Sequence, residues 1–342
     1  MTSRSLVTPP ALRPGDTVGI VSPAWFGGET FVPRAQAGMR RLEALGFRVL
    51  VAPHAFNNRD HVSDTAQHRA DDLNAMVANP DVRMILATIG GTHTAEVLPF
   101  LDWELIRRNP KIVMGCSDIT TLNVALYAET GLCTVNGPYL LSDWAEYPIM
   151  PPVSEEWVLR MLMRPEPPGP IPFPQTWTNE FLDWTTGADR TRARKTQPNA
   201  GWTVVQHGAA SGRLVGGCIE SLQPLRGTRF WPELEGCILF LETAGDLNSP
   251  YATDELLAGL DLMGVFDRIA GLLFAKPAAF SEAGRARFDA LLAARAERWT
   301  FPVIADMDFG HHTPNLAMPL GVQATMQTDP VRITIDEAAV GT

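Results

Sequence analysis

The chain has 342 residues, 45% of them hydrophobic, with 28 Gly, 28 Pro and a formal net charge of −10 at pH 7. That length is long for one hydrophobic core and points to two domains with a cleft between them, while the acidic balance and scattered Lys and Arg exclude a nucleic-acid binder. No apolar run approaches the roughly 20 residues of a bilayer span, and four separated cysteines give neither a disulfide framework nor zinc-ligand spacing, so a cytoplasmic protein without metal, cofactor or membrane partner is expected.

In chain order, the first half alternates short apolar runs with amphipathic stretches, the pattern of parallel strands joined by helices. "TVGIVS" (17–22) reads as strand, "VPRAQAGMRRLEAL" as helix, "FRVLVA" as strand, "DTAQHRADDLNAMVA" as helix and "VRMILATI" as strand. A further helix is expected from about Thr94. "KIVMG" and "CTVNG" then read as buried strands flanking the helix "DITTLNVALYAETG", with Gly131 as its C-cap. This predicts an α/β domain over residues 1–165 with a doubly wound, flavodoxin-like parallel sheet, whose ligands lie beyond the carboxyl ends of the strands. Those ends carry Ser22-Pro23, Gly90-Gly91 and Gly115-Cys116-Ser117.

Residues 166–208 break the pattern. "RPEPPGPIPFPQTW" is too proline-dense for a helix or central strand, yet Trp177, Phe181, Trp184 and Trp202 are a heavy aromatic load for a tether. The segment is either a flap or a linker pinned to the surface by its aromatic rings. Residues 209–342, opening with "SGRLVGGCIESL", predict a mixed α/β domain with a small β-barrel-like sheet: strands at "GCILFLE", "IAGLLFA", "PVIAD", "LGVQATM" and "VRITID", with helices at "TDELLAGLDLMG" and "EAGRARFDALLAARAERW".

Ser117 stands where a strand meets a helix, with Gly115 two residues before it, so it is either a nucleophile on a sharp turn or a helix cap. The G-x-S-x-G spacing is incomplete, because Ile119 occupies the last glycine position. Cys116 is the rival nucleophile. A serine needs a base held by a carboxylate. His311 in "DFGHHTPNLAMPLG" is the candidate, with His312 beside it, and Glu242, Asp306 or Asp308 are placed to orient it. Gly90 and Gly91 let the backbone approach a substrate, so that loop offers one candidate oxyanion donor and the Asp118 N–H a second, or Gly90-Gly91 is a plain turn. Thr92 and His93 either contact substrate or cap the next helix.

Together "IGGTHTAEVLPFLDWELIRRNPKIVMGCSDITTLNVALYAETGLCTVNGP", "GRLVGGCIESL", "LFLETAGDLNSPYATDELLAGL" and "FGHHTPNLAMPLG" resemble the S66 serine peptidases, a family that contains murein L,D-carboxypeptidases and microcin C self-immunity proteins. The resemblance implies a Ser117-Glu242-His311 triad, an oxyanion site at Gly91 and Asp118, no metal, and a homodimer. Ile89-Gly90-Gly91 and the aromatic 173–202 segment are similar to the immunity branch, which hydrolyses the amide-like bond between an aminoacyl or peptidyl group and a nucleotide. That implies a small-molecule substrate touching Gly90, Thr92 and His93, a base stacked on Trp184 or Trp202, and Lys276 reading a substrate carboxylate. Cleavage of a muropeptide by an L,D-carboxypeptidase is the alternative activity, and a silent small-molecule binder on the same fold is the alternative of another class.

Overall fold

The apolar runs of the first half form five parallel strands in the spatial order Arg48–Val51, Thr17–Val21, Val82–Ala87, Ile112–Met114, Val135–Asn136 in the computed structural model, which describes residues 5–244 and 249–342. This is the flavodoxin-like order. Its switch point falls between Thr17–Val21 and Val82–Ala87, so the loops after Val21 and Ala87 diverge to opposite sides and leave a crevice. The four residues 245–248 of the "LFLETAGDLNSPYATDELLAGL" motif lie outside the described residues.

Local chemistry sets the helices that flank this sheet. The Thr65 hydroxyl caps Ala66–Ala78 by accepting the His68 N–H at 3.1 Å, and Asp102 caps Trp103–Arg108 through the Leu105 N–H. The helix expected from Thr94 is a 3₁₀ segment, Thr94–Phe100, because Pro99 inside it has no N–H to donate. A new α-helix then starts at Trp103. Helix Ile119–Thr130 ends at Gly131 (φ +74°), whose N–H bonds Tyr127 O at 2.8 Å. All residues from Ile119 to Leu126 are buried, so this helix has no water face and lies between the two halves of the molecule. The helix Pro152–Met163, which the sequence pattern leaves unassigned, opens with Pro152 and buries Trp157, Val158, Met161 and Leu162.

The second sheet runs Gly169–Pro170, Val331–Ile335, Gln323–Thr328, Ala209–Cys218, Ile238–Glu242, Gly271–Ala275, Val303–Met307, Thr203–Gln206. Its four strands from Ala209–Cys218 to Val303–Met307 are parallel, and the flanks are antiparallel. The second half is thus the mixed α/β unit expected, and its two edge strands are not paired with each other among the described residues. The second half and the 166–208 segment also lend strands across the boundaries expected at 165 and 208. Met318–Pro319 joins the first sheet beside Val135–Asn136, and Gly169–Pro170 and Thr203–Gln206 from the proline-rich segment edge the second.

Two glycines let Ala209–Cys218 pass between its neighbours. A Cβ on Gly216 (φ +152°) would stand 1.8 Å from Phe240 O, and one on Gly217 (φ +138°) 2.5 Å from the Thr120 side chain. Gly216→Ala therefore forces the strand that ends in Glu242 out of register. The expected cost is about 3 kcal/mol or more in urea unfolding, and a variant within 0.5 kcal/mol of the parent contradicts this packing.

Candidate active site

Ser117 occupies the turn between strand Ile112–Met114 and helix Ile119–Thr130 with φ +55°, a left-handed conformation that costs a non-glycine residue strain and points its side chain away from the sheet. The Ile119 and Thr120 N–H groups bond back to Cys116 O and Ser117 O at 3.0 and 2.9 Å and fix the turn. Asp118 is the N-cap residue, but its carboxylate accepts the Thr94 N–H at 2.8 Å instead of capping its own helix, which ties the Gly90-Gly91 loop to the Ser117 turn. A Cβ on Gly90 would lie 2.8 Å from Ser117 Oγ, and one on Gly91 (φ +126°) would lie 2.6 Å from Trp25 Cβ. Both glycines are thus required by close approach. The Gly91 and Asp118 N–H groups have no hydrogen-bond partner among the described residues.

Glu242 ends strand Ile238–Glu242 and is 1% exposed, and its Oε2 stands 2.7 Å from His311 Nδ1. Gly310 (φ +96°) makes this contact reachable, since a Cβ there would be 2.9 Å from Glu242 Oε2. Asn315, buried, accepts the Gly310 N–H at 2.9 Å and donates toward Cys116 Sγ at 3.7 Å, so one side chain braces both the His311 loop and the Ser117 turn. Burial, with Glu242 and Asp143 nearby, pushes the Cys116 thiol well up, which leaves it protonated and unreactive at neutral pH. His312 is buried against Trp177, and burial pushes its pKa down.

Ser117 and His311 open into one cleft of about 580 Å³ that Gly90, Gly91 and Thr92 also line. His93 is not part of its wall; its ring meets Thr92 Oγ1 at 2.6 Å and packs on His61. The roof is the 178–196 loop, closed at its base by Thr176–Trp177 pairing with Gln197–Pro198 and by Thr178 pairing with Thr313. Trp184 in this roof packs edge-on against Phe31 at 5.2 Å and under the Arg34 guanidinium at 4.3 Å. Arg34 also donates to Asp189 at 2.5 Å and to Leu141 O at 2.6 Å. Arg194 bonds Glu146 of the first half and Thr313 of the second. Sequence reasoning missed Trp25, Arg34, Arg194 and Asn315. Only Trp25, following the strand-end Ser22-Pro23, carried a signal.

Trp202 and Lys276 lie elsewhere. Asp308, fully buried, accepts from Lys276 Nζ at 2.7 Å, Trp202 Nε1 at 2.8 Å and Asn199 Nδ2 at 3.1 Å. Burial favours a neutral Asp308, but His312 and Lys276 outweigh it and hold the carboxyl below its usual range. Both side chains are spent on this buried ion pair, so neither stands in the cleft wall to stack on a base or read a carboxylate. Asp308 is likewise spent, and Asp306 pairs with Arg285 and Thr203, which leaves Glu242 as the carboxylate on His311.

No described helix is long and apolar enough to cross a membrane. The family models for the LD-carboxypeptidase N-terminal and C-terminal domains match residues 18–137 and 211–326. A putative carboxypeptidase of Vibrio cholerae is 32% identical over 323 residues, covering 93% of this chain and 94% of that one. The microcin C7 self-immunity protein MccF of Escherichia coli is 32% identical over 336 residues, covering 97% and 96%. The solved structure of MccF in complex with aspartyl sulfamoyl adenosine superimposes with a TM-score of 0.91 at 30% identity, covering 98% of this chain and all of that chain (100%).

Gly90→Ala tests the close approach at Ser117. The added methyl displaces the hydroxyl and lowers kcat/KM about 100-fold or more, with a thermal midpoint within a few degrees of the parent. Turnover equal to the parent's removes Gly90 from the site.

Proposed function

The chain belongs to the S66 LD-carboxypeptidase family, and from that premise we propose that it is a serine hydrolase of the MccF type, cleaving the amide-like bond between an aminoacyl or peptidyl group and a nucleotide. Ser117 Oγ attacks the acyl carbon while His311 Nε2 takes its proton. The His311 Nδ1–H, held by Glu242 at 2.7 Å, fixes the tautomer that leaves Nε2 basic. The oxyanion is received by the Gly91 and Asp118 N–H groups, the second at the positive end of helix Ile119–Thr130. His311 returns the proton to the leaving nitrogen, which departs and leaves an ester on Ser117. Water, deprotonated by the same imidazole, then attacks the ester, releases the carboxylic acid and restores the serine.

The observation that carries the nucleotide reading is the aromatic roof: Trp184 and Phe181 over the cleft that Ser117 enters. A flat apolar face held in place by Arg34 suits a purine ring, whereas the terminal D-residue of a muropeptide offers nothing for it to stack on. That solved MccF structures hold aminoacyl sulfamoyl nucleosides supports the same substrate class. A homodimer belongs to the same proposal, with light scattering as its check.

Aspartyl sulfamoyl adenosine and a murein tetrapeptide, supplied separately, distinguish the activities. Turnover of the first alone is expected; turnover of the tetrapeptide alone replaces the proposal with an L,D-carboxypeptidase, and of neither with a silent binder. Ser117→Ala is expected to remove all turnover and to leave the fold intact. Trp184→Ala is expected to raise KM for the nucleotide substrate about ten-fold, in keeping with the worth of one stacked base.

A further inference from the structure

A second cluster of ionisable groups lies in the N-terminal half, apart from the cleft wall, and the hydrolytic mechanism does not use it. We propose that His54, Asp64 and His68 form a binding site for a divalent transition metal of the zinc class. His54 follows strand Arg48–Val51, and Asp64 and His68 flank the N-cap of helix Ala66–Ala78. One ligand atom from each lies within 4.8 Å of the others. Ligands of a tetrahedral zinc with bonds near 2.0–2.2 Å stand roughly 3.4 Å apart, so a movement of about an ångström closes the set.

Three features prepare these side chains. Asp64 Oδ1 and His68 Nδ1 are hydrogen-bonded at 3.0 Å, a contact that the i,i+4 spacing on the first helical turn supplies and that an ion between them would replace. His54 Nδ1 is engaged by Asp72 Oδ1 at 2.8 Å, and the other Asp72 oxygen accepts the His54 backbone N–H at 3.0 Å. Asp72, 4% exposed, thus grips the His54 ring through Nδ1, the carboxylate–histidine arrangement of metal ligands. The two imidazoles stack at 4.4 Å with a 16° tilt, so the rings already lie side by side.

The donor set selects the ion. Two imidazoles and one carboxylate suit zinc, nickel or cobalt, whereas calcium and magnesium require oxygen ligands. Asp64 is held in place by accepting from Asn57 Nδ2 and from the Thr65 N–H, each at 2.6 Å. His54 is 29% exposed and His68 49%, which leaves an entry path and room for a water in the remaining position. The sequence expectation of no metal rested on the spacing of the cysteines and histidines and on the family resemblance. His54 and His68 are too far apart in the chain to read as a ligand pair, and only the loop between them brings them together.

The test is calorimetric titration of zinc chloride into the full chain, free of any histidine tag, at pH 7.5. One equivalent is expected to bind and to raise the thermal midpoint. The His54→Ala/His68→Ala pair should weaken that binding at least about 100-fold, and Asp72→Asn about 10- to 100-fold, while His61→Ala should leave it unchanged. His68→Gln alone, at a half-exposed position, covers the case in which the double variant fails to fold, and its zinc-free midpoint should match the parent's. No saturable binding to the parent, or an isotherm unchanged in His68→Gln, overturns the assignment.

Discussion

The first turn of helix Ile119–Thr130 is gripped by both halves of the molecule, and the geometry of the cleft depends on that grip. The Thr120 hydroxyl accepts the Cys218 N–H at 3.0 Å, the Thr121 hydroxyl donates to Ser221 O at 2.7 Å, and Gly217 gives up its side chain so that the second sheet can come this close. Ser117 precedes this turn by two residues, and Glu242 ends the strand next to Cys218. The seam therefore fixes, in one place, a serine from the first sheet and a carboxylate and imidazole from the second. Because Thr120 and Thr121 are fully buried, each unmade bond would leave a polar group without water, which penalises any sliding of one half on the other.

A second set of contacts holds the roof. Arg34 reaches Asp189 and Trp184, and Arg194 joins Glu146 to Thr313, so the 178–196 loop is bound to both halves by side chains while its base is bound by backbone pairing. The buried pair of Lys276 and Asp308, with Trp202 and Asn199, anchors the return strand. Loop residues thereby acquire the fixed geometry that a binding site requires.

Much of the first sheet was legible because parallel strands buried on both faces are continuous apolar runs, and Gly131 marks a helix end by its own chemistry. The strand-to-helix turn at Ser117 was legible for the same reason. Helix Pro152–Met163 was not, because its apolar residues follow a proline-rich approach that reads as loop. Trp202 and Lys276 were misassigned because sequence records a residue's chemistry and not its partner: an aromatic and a cation near a site look alike whether they meet a ligand or Asp308. Arg34 and Asn315 act through contacts more than a hundred residues away in sequence, to Asp189 and Cys116, and no local pattern announces such contacts.

The proposed chemistry requires Ser117 to be the nucleophile, activated by the imidazole that the second half supplies. Mass spectrometry of the protein after treatment with a fluorophosphonate, which a reactive serine attacks at phosphorus with loss of fluoride, tests it directly. One adduct per chain is expected, on the peptide containing Ser117, and it should be lost in His311→Ala. An adduct on another residue, or none on a preparation that turns over substrate, contradicts it.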